Sequence, residues 1–427
     1  MKLERIDWNG RDAPALAARL RAAVARPPTL GDEVAAIVAA VRQDGDAAVR
    51  ELGTKLGDEV PERLRVDPEA VQAAPSLLDP EVREALIVAA ENIAEVSRAE
   101  LEASPPAVAE LEAGQRVEVR SEAVGSVGVY APGGRASYPS SVLMCCVPAR
   151  IAGVRRIAVV SPPGASGRPS AVTLAACAVA QVDEVYAVGG AQAIAALAYG
   201  TDSIDPVEVV VGPGNAYVNE AKRIVSGTVG IDGMAGPSEL LIVADAATGR
   251  ARWLALDLAA QAEHGEDSPV VMVSPDAGLL DDVAREAEEL WTERASVRDA
   301  PLALVAAHGL ESALQLADAF APEHLELAFA GADENVARSR VAGCVFVGSR
   351  AATAFGDYAV GSNHVLPTGG AARFGGPLGV RTFRRRSSIV TIPASAAEKL
   401  ADTVGALARA EGFPVHGESA EARREEE

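Results

Sequence analysis

Several residue types are scarce in this 427-residue chain, and each scarcity closes off a class of protein. Aromatic side chains make up only 4% of it, so its cores must be built from Ala, Val, Leu and Ile. The four cysteines, Cys145, Cys146, Cys177 and Cys344, lie in apolar contexts without CxxC spacing. That excludes a disulfide framework and a cysteine-rich zinc site, and suits buried thiols in a reducing cytosol. No uncharged apolar run reaches membrane-spanning length, and the opening MKLERIDWNG lacks the apolar stretch of a signal peptide. Basic residues are outnumbered, 39 Lys and Arg against 60 Asp and Glu, for a net charge of −21. This argues against nucleic-acid and anionic-membrane partners and for a solvated exterior. The protein is expected in the cytoplasm.

What is present is ordinary for a soluble globular protein: 49% hydrophobic and 23% charged residues. The length exceeds one core, so two or three domains are expected. Residues 12–58 and 78–102 carry apolar residues at three- and four-residue spacing and read as helices, the first block broken by Pro27-Pro28 and Gly57. No chemistry is visible in them, and they read as an arm or a packing layer. From about Gln115 the texture changes. SVGVYAPGG (126–134), RRIAVVSPPG (155–164), DEVYAVGGAQ (183–192) and VEVVVGPGN (207–215) are β-rich runs, each ending in a Gly or Pro turn before a helix-like segment. Strands alternating with Ala-rich helices imply βαβ units and a parallel sheet, whose strand ends converge on one ligand-binding rim. Tyr130, Gln192 and Asn215 fall on that rim.

The full dinucleotide fingerprint is missing. GPGNAY (212–217) lacks the third glycine, and Asp232, some twenty residues on, is a tempting ribose acid behind a weak signal. Pattern alone gives a nucleotide-type α/β domain. A second α/β section follows IDGMAGPSELLIVAD (231–245), with Ser238 where a strand begins. SPVVMVS, PLALVAA, HLELAF and GCVFVGS read as its further strands.

Only five histidines occur, so their settings stand out. DLAAQAEHGEDS (257–268) places Gln261 and His264 on one helical face, half of a possible cation site. A capped surface helix is the plainer reading of QAEH alone. Asp357 and His364 lie in the long Gly/Pro loop 353–376, and His416 in the polar, charged tail, which by composition should fray. Gln261, His264, Asp357 and His416 together offer N and O donors suited to zinc, although no spacing links all four. Glu323-His324 pairs a carboxylate with an imidazole. Outside any wider context, that pair reads as a cap or surface turn.

Wider context exists. YAPGGRASYPSSVLMCCVPARIAG, GGAQAIAALAYGT, GPGNAYVNEAK, AGPSE, DLAAQAEHG, APEHLE and GDYAVGSNHVLPT, in this order, resemble the histidinol dehydrogenase family over roughly residues 30–420. The resemblance implies a cytoplasmic homodimer that oxidises L-histidinol to L-histidine through histidinal, using two NAD⁺ and one zinc ion per subunit. It implies zinc ligands at Gln261, His264, Asp357 and His416, the last from the partner subunit. It implies an acid/base pair at Glu323 and His324, substrate contacts at Ser238, His364 and Glu411, and NAD contacts at Tyr130, Gln192 and Asn215. The implied fold is α/β, with two incomplete Rossmann-like parallel-sheet domains, an N-terminal helical segment and a C-terminal dimerisation tail. On this reading residues 1–28 are a helical arm and 126–237 the NAD-binding domain. Residues 29–125 with 238–380 form the catalytic, metal-binding domain, and 381–427 a tail serving the partner's site. The chain departs from the family in its Cys145-Cys146 pair and its less apolar tail, FPVHGESAEAR. The competing readings are an aldehyde dehydrogenase-like thiol enzyme using Cys145 or Cys146, a non-catalytic descendant, and a zinc hydrolase.

Overall fold

The computed structural model describes residues 2–22, 30–133, 137–234, 236–297, 300–338 and 341–424. Its strands, in chain order, are β1 (Lys2–Trp8), β2 (Ala107–Glu110), β3 (Arg116–Ala123), β4 (Ser126–Tyr130), β5 (Arg156–Ser161), β6 (Glu184–Ala187), β7 (Val209–Val211), β8 (Gly230–Ile231), β9 (Leu240–Ala244), β10 (Val270–Ser274), β11 (Pro301–Ala307), β12 (His324–Ala328), β13 (Cys344–Val347) and β14 (Arg384–Thr391). They form three sheets: β6-β5-β4-β7-β8, β1-β11-β10-β9-β12-β13, and β14-β3-β2. The first two are parallel throughout. The third is antiparallel.

The two parallel sheets explain the chain's aliphatic composition. Helices cover both faces of each, so β9, β10 and β12 are buried at every position and read as continuous apolar runs. Four helices, Pro139–Ile151, Ala171–Val179, Gly190–Tyr199 and Ala216–Val225, follow the strands of the first sheet. Two of these helices start on a side-chain cap. Ser170 Oγ accepts from Thr173 N–H at 3.2 Å, and Asn215 Oδ1 accepts from Tyr217 and Val218 N–H at 3.0 and 3.1 Å.

The expected division of the chain needs correction. The N-terminal segment opens on a strand, β1, paired along its length with β11. Trp8, Leu16 and Leu20 pack with Leu241, Val243 and Phe320, so this segment belongs to the second sheet's core. The expected boundary at 28, with its Pro27-Pro28 break, lies outside the described residues. Residues 30–102 pack on the first sheet, not the second. Leu30, Val34, Val38 and Val41 meet Ile194, Leu197 and Val218. Leu86, Ala89 and Ile93 meet Val142, Leu143 and Met144. Amphipathic spacing showed that these helices bury one face, and it cannot show against which sheet. The tail does not fray over its described part: Pro414–Glu421 is a helix packed on Ala394–Ala410.

Candidate active site

The candidate cluster forms where β9 and β12 begin side by side. His324 pairs with Leu240 in register, so Ser238-Glu239 and Glu323-His324, which precede and open these strands, lie next to each other. Backbone bonds fix the junction. His324 N–H donates to the Glu239 carbonyl at 3.1 Å, and Cys344 N–H to the Glu323 carbonyl at 2.9 Å. Gly343 is needed here, because a Cβ would lie 2.7 Å from the Glu323 carbonyl oxygen.

Glu323 is buried, and its Oε2 accepts from Ser238 Oγ at 2.5 Å and from Glu239 N–H at 2.8 Å. Burial pushes its pKa up to about 7 despite these donors and the neighbouring His324. His324 Nδ1 lies 3.2 Å from the Glu239 carbonyl, an acceptor, so Nδ1 carries a proton. Its Nε2 lies 3.5 Å from Asp357 Oδ1. Burial alone would lower the His324 pKa, but the Glu323 and Asp357 carboxylates outweigh it and raise it. For Asp357 burial acts upward, and the histidines 324, 364 and 264 together bring its pKa below the usual value.

Gln261 closes the cluster from the helix Ala251–Ala262. Its Nε2 donates to Ser238 Oγ at 2.6 Å, the hydroxyl proton of Ser238 being committed to Glu323. Gln261 Oε1 is then buried without a hydrogen-bond partner, a costly state that a cation or ligand would relieve. His264, at the end of this helix, is exposed. Desolvation of the ring by the surrounding protein lowers its pKa, opposed by nearby Asp357. Asp257, which opens the same motif, is pushed up to about 6 by burial. His364 donates from Nδ1 to the Asp357 carbonyl at 2.8 Å. Its neutral Nε2 accepts from Ser141 Oγ at 3.2 Å, which ties the helix Pro139–Ile151 of the first sheet to the cluster.

Gln261, His264 and Asp357 supply an amide oxygen, an imidazole and a carboxylate, a donor set that suits zinc. Among the described residues no three His, Cys, Asp or Glu side chains gather as a ligand group. Glu411 and His416 are not part of the cluster within one chain. Both are exposed on the tail, where the His416 ring lies 5.4 Å from that of Phe413.

Tyr130 ends β4, and Gln192 and Asn215 follow β6 and β7, all at the carboxyl edge of the first sheet. Tyr130 is buried, and its hydroxyl accepts from Gly190 N–H at 3.2 Å. Gln192 is 1% exposed, and its Nε2 has no partner. The turn after β7 is tight enough to demand glycine: at Gly212, φ is 112° and a Cβ would lie 2.2 Å from the Tyr130 carbonyl oxygen. Asp232 does not present a free ribose acid. Its Oδ2 accepts from Gly212 N–H at 2.8 Å and its other oxygen pairs with the fully buried Lys222. Cys145, Cys146 and Cys177 are buried, and burial raises all three thiols, Cys177 to about 12, so none is poised as a nucleophile.

Three participants escaped the sequence reading. Ser141 and Lys222 are joined to their partners only by the fold. Glu239 sits beside Ser238 in the AGPSE motif, and an acid opening a buried strand was the available signal.

The model of the family described as histidinol dehydrogenase matches residues 21–424. The chain is 45% identical over 407 residues to the histidinol dehydrogenase of Aromatoleum aromaticum, covering 91% of this chain and 90% of that protein. It is 44% identical over 430 residues to that of Rhodospirillum rubrum, covering 98% of each. Its structure is similar to the crystal structure of histidinol dehydrogenase from Elizabethkingia anophelis, with a TM-score of 0.92 and 28% identity over 99% of this chain and 98% of that one.

Proposed function

The chain belongs to the histidinol dehydrogenase family, an oxidoreductase family, and from that premise we propose that it oxidises L-histidinol to L-histidine through L-histidinal with two NAD⁺, as the last step of histidine biosynthesis in the cytoplasm. The observation that carries the reading is the buried pair Glu323-His324, flanked by the half-buried Ser238 and Asp357: a carboxyl with a pKa of about 7 beside an imidazole whose free nitrogen faces a second carboxylate.

The chemistry needs two proton acceptors. In each oxidation the carbinol carbon gives up a hydride and its oxygen a proton; between them a water adds to the aldehyde. His324, with Nδ1–H held by the Glu239 carbonyl, offers Nε2 to the hydroxyl proton, and the carboxylates of Asp357 and Glu323 stabilise the imidazolium. Glu323, with Oε2 fixed by two donors, takes a proton from the hydrating water through Oε1. A carboxyl with a pKa of about 7 both accepts and releases that proton near neutral pH. Ser238 and His364 would bind the substrate's polar groups, with Glu411 added from the tail.

Gln261, His264 and Asp357, with the partner's His416, would hold the zinc ion, and the unpartnered Gln261 Oε1 fits that role. Bound zinc supplies an anchor for the substrate's imidazole and amine; bound NAD supplies the hydride acceptor. Tyr130, Gln192 and Asn215 would line the cofactor site. A homodimer with exchanged tails accounts for a histidine on an exposed terminal helix.

The test is NADH formation from L-histidinol before chelation, after it, and after zinc is restored. Two NADH per histidinol, abolished by chelation and recovered with zinc, is the expected result. No NADH from the zinc-loaded protein would overturn the assignment.

A further inference from the structure

The helix Ala13–Arg21 ends in a side chain that reaches the acid/base pair from the far end of the sequence. Arg21 donates from Nε to Glu239 Oε1 at 2.9 Å and from Nη2 to Oε2 at 3.3 Å. The same Nη2 donates to the carbonyls of Phe320 and Ala321, the latter at 3.2 Å. The guanidinium carbon lies 4.1 Å from the centroid of the Phe320 ring. Ala321, two residues before Glu323, has φ 46°, a left-handed conformation that a side chain disfavours. One cation thus clamps a disfavoured turn ahead of β12 to the start of β9.

What the clamp holds is the backbone of one residue. Glu239 N–H donates to Glu323 Oε2, and the Glu239 carbonyl accepts from both His324 N–H and His324 Nδ1. The position of residue 239 therefore sets the carboxyl and the imidazole together. We propose that Arg21 and Glu239 are positioning residues for the oxidation: Arg21 holds Glu239 and the 320–321 turn in place, and the Glu239 backbone aligns Glu323 with His324. This inference rests on the dehydrogenase reading above. A buried ion pair contributes little net stability, so its placement on both segments of the site is better explained by alignment.

The clamp is also electrical. The groups around Glu323 are His324 from its own strand, Ser238 and Glu239 from the start of β9, Arg21 through Glu239, and Asp357 through His324. Glu239 is a negative charge that disfavours ionised Glu323, and Arg21 offsets it. The two residues therefore act on Glu323 in opposite directions.

The experiment measures kcat, KM and the pH profile of L-histidinal oxidation for zinc-loaded wild type, Arg21→Met, Arg21→Lys, Glu239→Gln and the double variant R21M/E239Q. Arg21→Met is expected to lower kcat by about a hundredfold, the cost of a misplacement near 1 Å, with KM for NAD unchanged. Its acid limb moves to higher pH, because Glu239 is left uncompensated. Glu239→Gln moves that limb to lower pH, and the double variant, which loses both charges, has its limb between those of the two single variants. Arg21→Lys keeps the charge, so its limb stays near that of wild type while kcat recovers in part. Should Arg21→Met fail to fold by circular dichroism, the near-isosteric Glu239→Gln decides alone. Unchanged kcat and limb, or limbs that move together, overturn the positioning role. An inactive wild type would overturn the dehydrogenase reading and, with it, the role that depends on it.

Discussion

Ser238 is the residue whose removal has the most calculable effect. Its hydroxyl donates to Glu323 Oε2 at 2.5 Å and accepts from Gln261 Nε2 at 2.6 Å. Ser238→Ala deletes a hydrogen bond that favours the charged carboxylate, so the Glu323 pKa must rise. A hydrogen bond to a charged group is worth about 1.5–3 kcal/mol, which corresponds to about 1–2 pKa units. From a starting value of about 7, half of the Glu323 carboxyls are ionised at neutral pH in wild type. In the variant the ionised share at pH 7 falls to about 1–10%. With Glu323 as the proposed base for the oxidation of histidinal, that reaction should therefore slow by about 5- to 50-fold at pH 7 and recover toward wild type near pH 9. The assay is NADH formation from histidinal between pH 6 and 9.5, at saturating NAD and zinc. An acid limb that stays in place, or an equal loss at every pH, would refute the claim that Ser238 tunes Glu323.

Glu323→Gln should separate stability from activity. The folded-state pKa of about 7 exceeds the usual 4.5, so the favourable contribution of protonated Glu323 is complete below about pH 4.5 and is lost as pH rises through about 7. The variant should therefore resist denaturant better than wild type at pH 8, by on the order of 3 kcal/mol, match it at pH 4.5, and fail to oxidise histidinal; equal stability at pH 8 would contradict the buried-carboxyl argument. Gln261→Leu removes the unpartnered amide oxygen and should weaken zinc, measured by competition with a chelator, by at least about tenfold. Wild-type zinc affinity in that variant would remove Gln261 from the ligand set. Mixing inactive His416→Ala and Glu323→Gln chains under subunit exchange should restore partial activity, since one site of each mixed dimer regains all its groups; no recovery would place His416 outside the partner's site.

The sequence made some features readable and concealed others for identifiable reasons. β4, β5, β6 and β7 were legible because each β-rich run ends in a Gly or Pro turn, and the same turns located Tyr130, Gln192 and Asn215 on one edge. Glu323 and His324 were legible as neighbours, but not their burial, which depends on β9 running beside β12. Lys2–Trp8 gave no clear alternation, and its pairing with β11 bridges nearly 300 residues, so the edge strand was missed. The true partner of Asp232 was hidden for a related reason. A carboxylate at the right spacing looks available until Lys222 is seen to occupy it. Arg21 and Glu239 lie 218 residues apart, so the pairing could not be read even though Glu239 stands out locally as an acid opening a buried strand.

The return of β1 and its helix to the second sheet has a spectroscopic consequence. The chain holds three tryptophans, Trp8, Trp253 and Trp291. Trp8 and Trp291 are buried in the two cores of the second sheet, and Trp253 lies on a helix that packs on that sheet. The first sheet and its covering helices contain tyrosines such as Tyr130 and Tyr186 but no tryptophan. Emission excited at 295 nm therefore watches one half of the molecule, and the other half is dark to it. Two melting transitions that coincide by circular dichroism and by tryptophan emission would mean the halves unfold together. A circular dichroism transition that precedes the emission change would mean the half built on the first sheet lets go first.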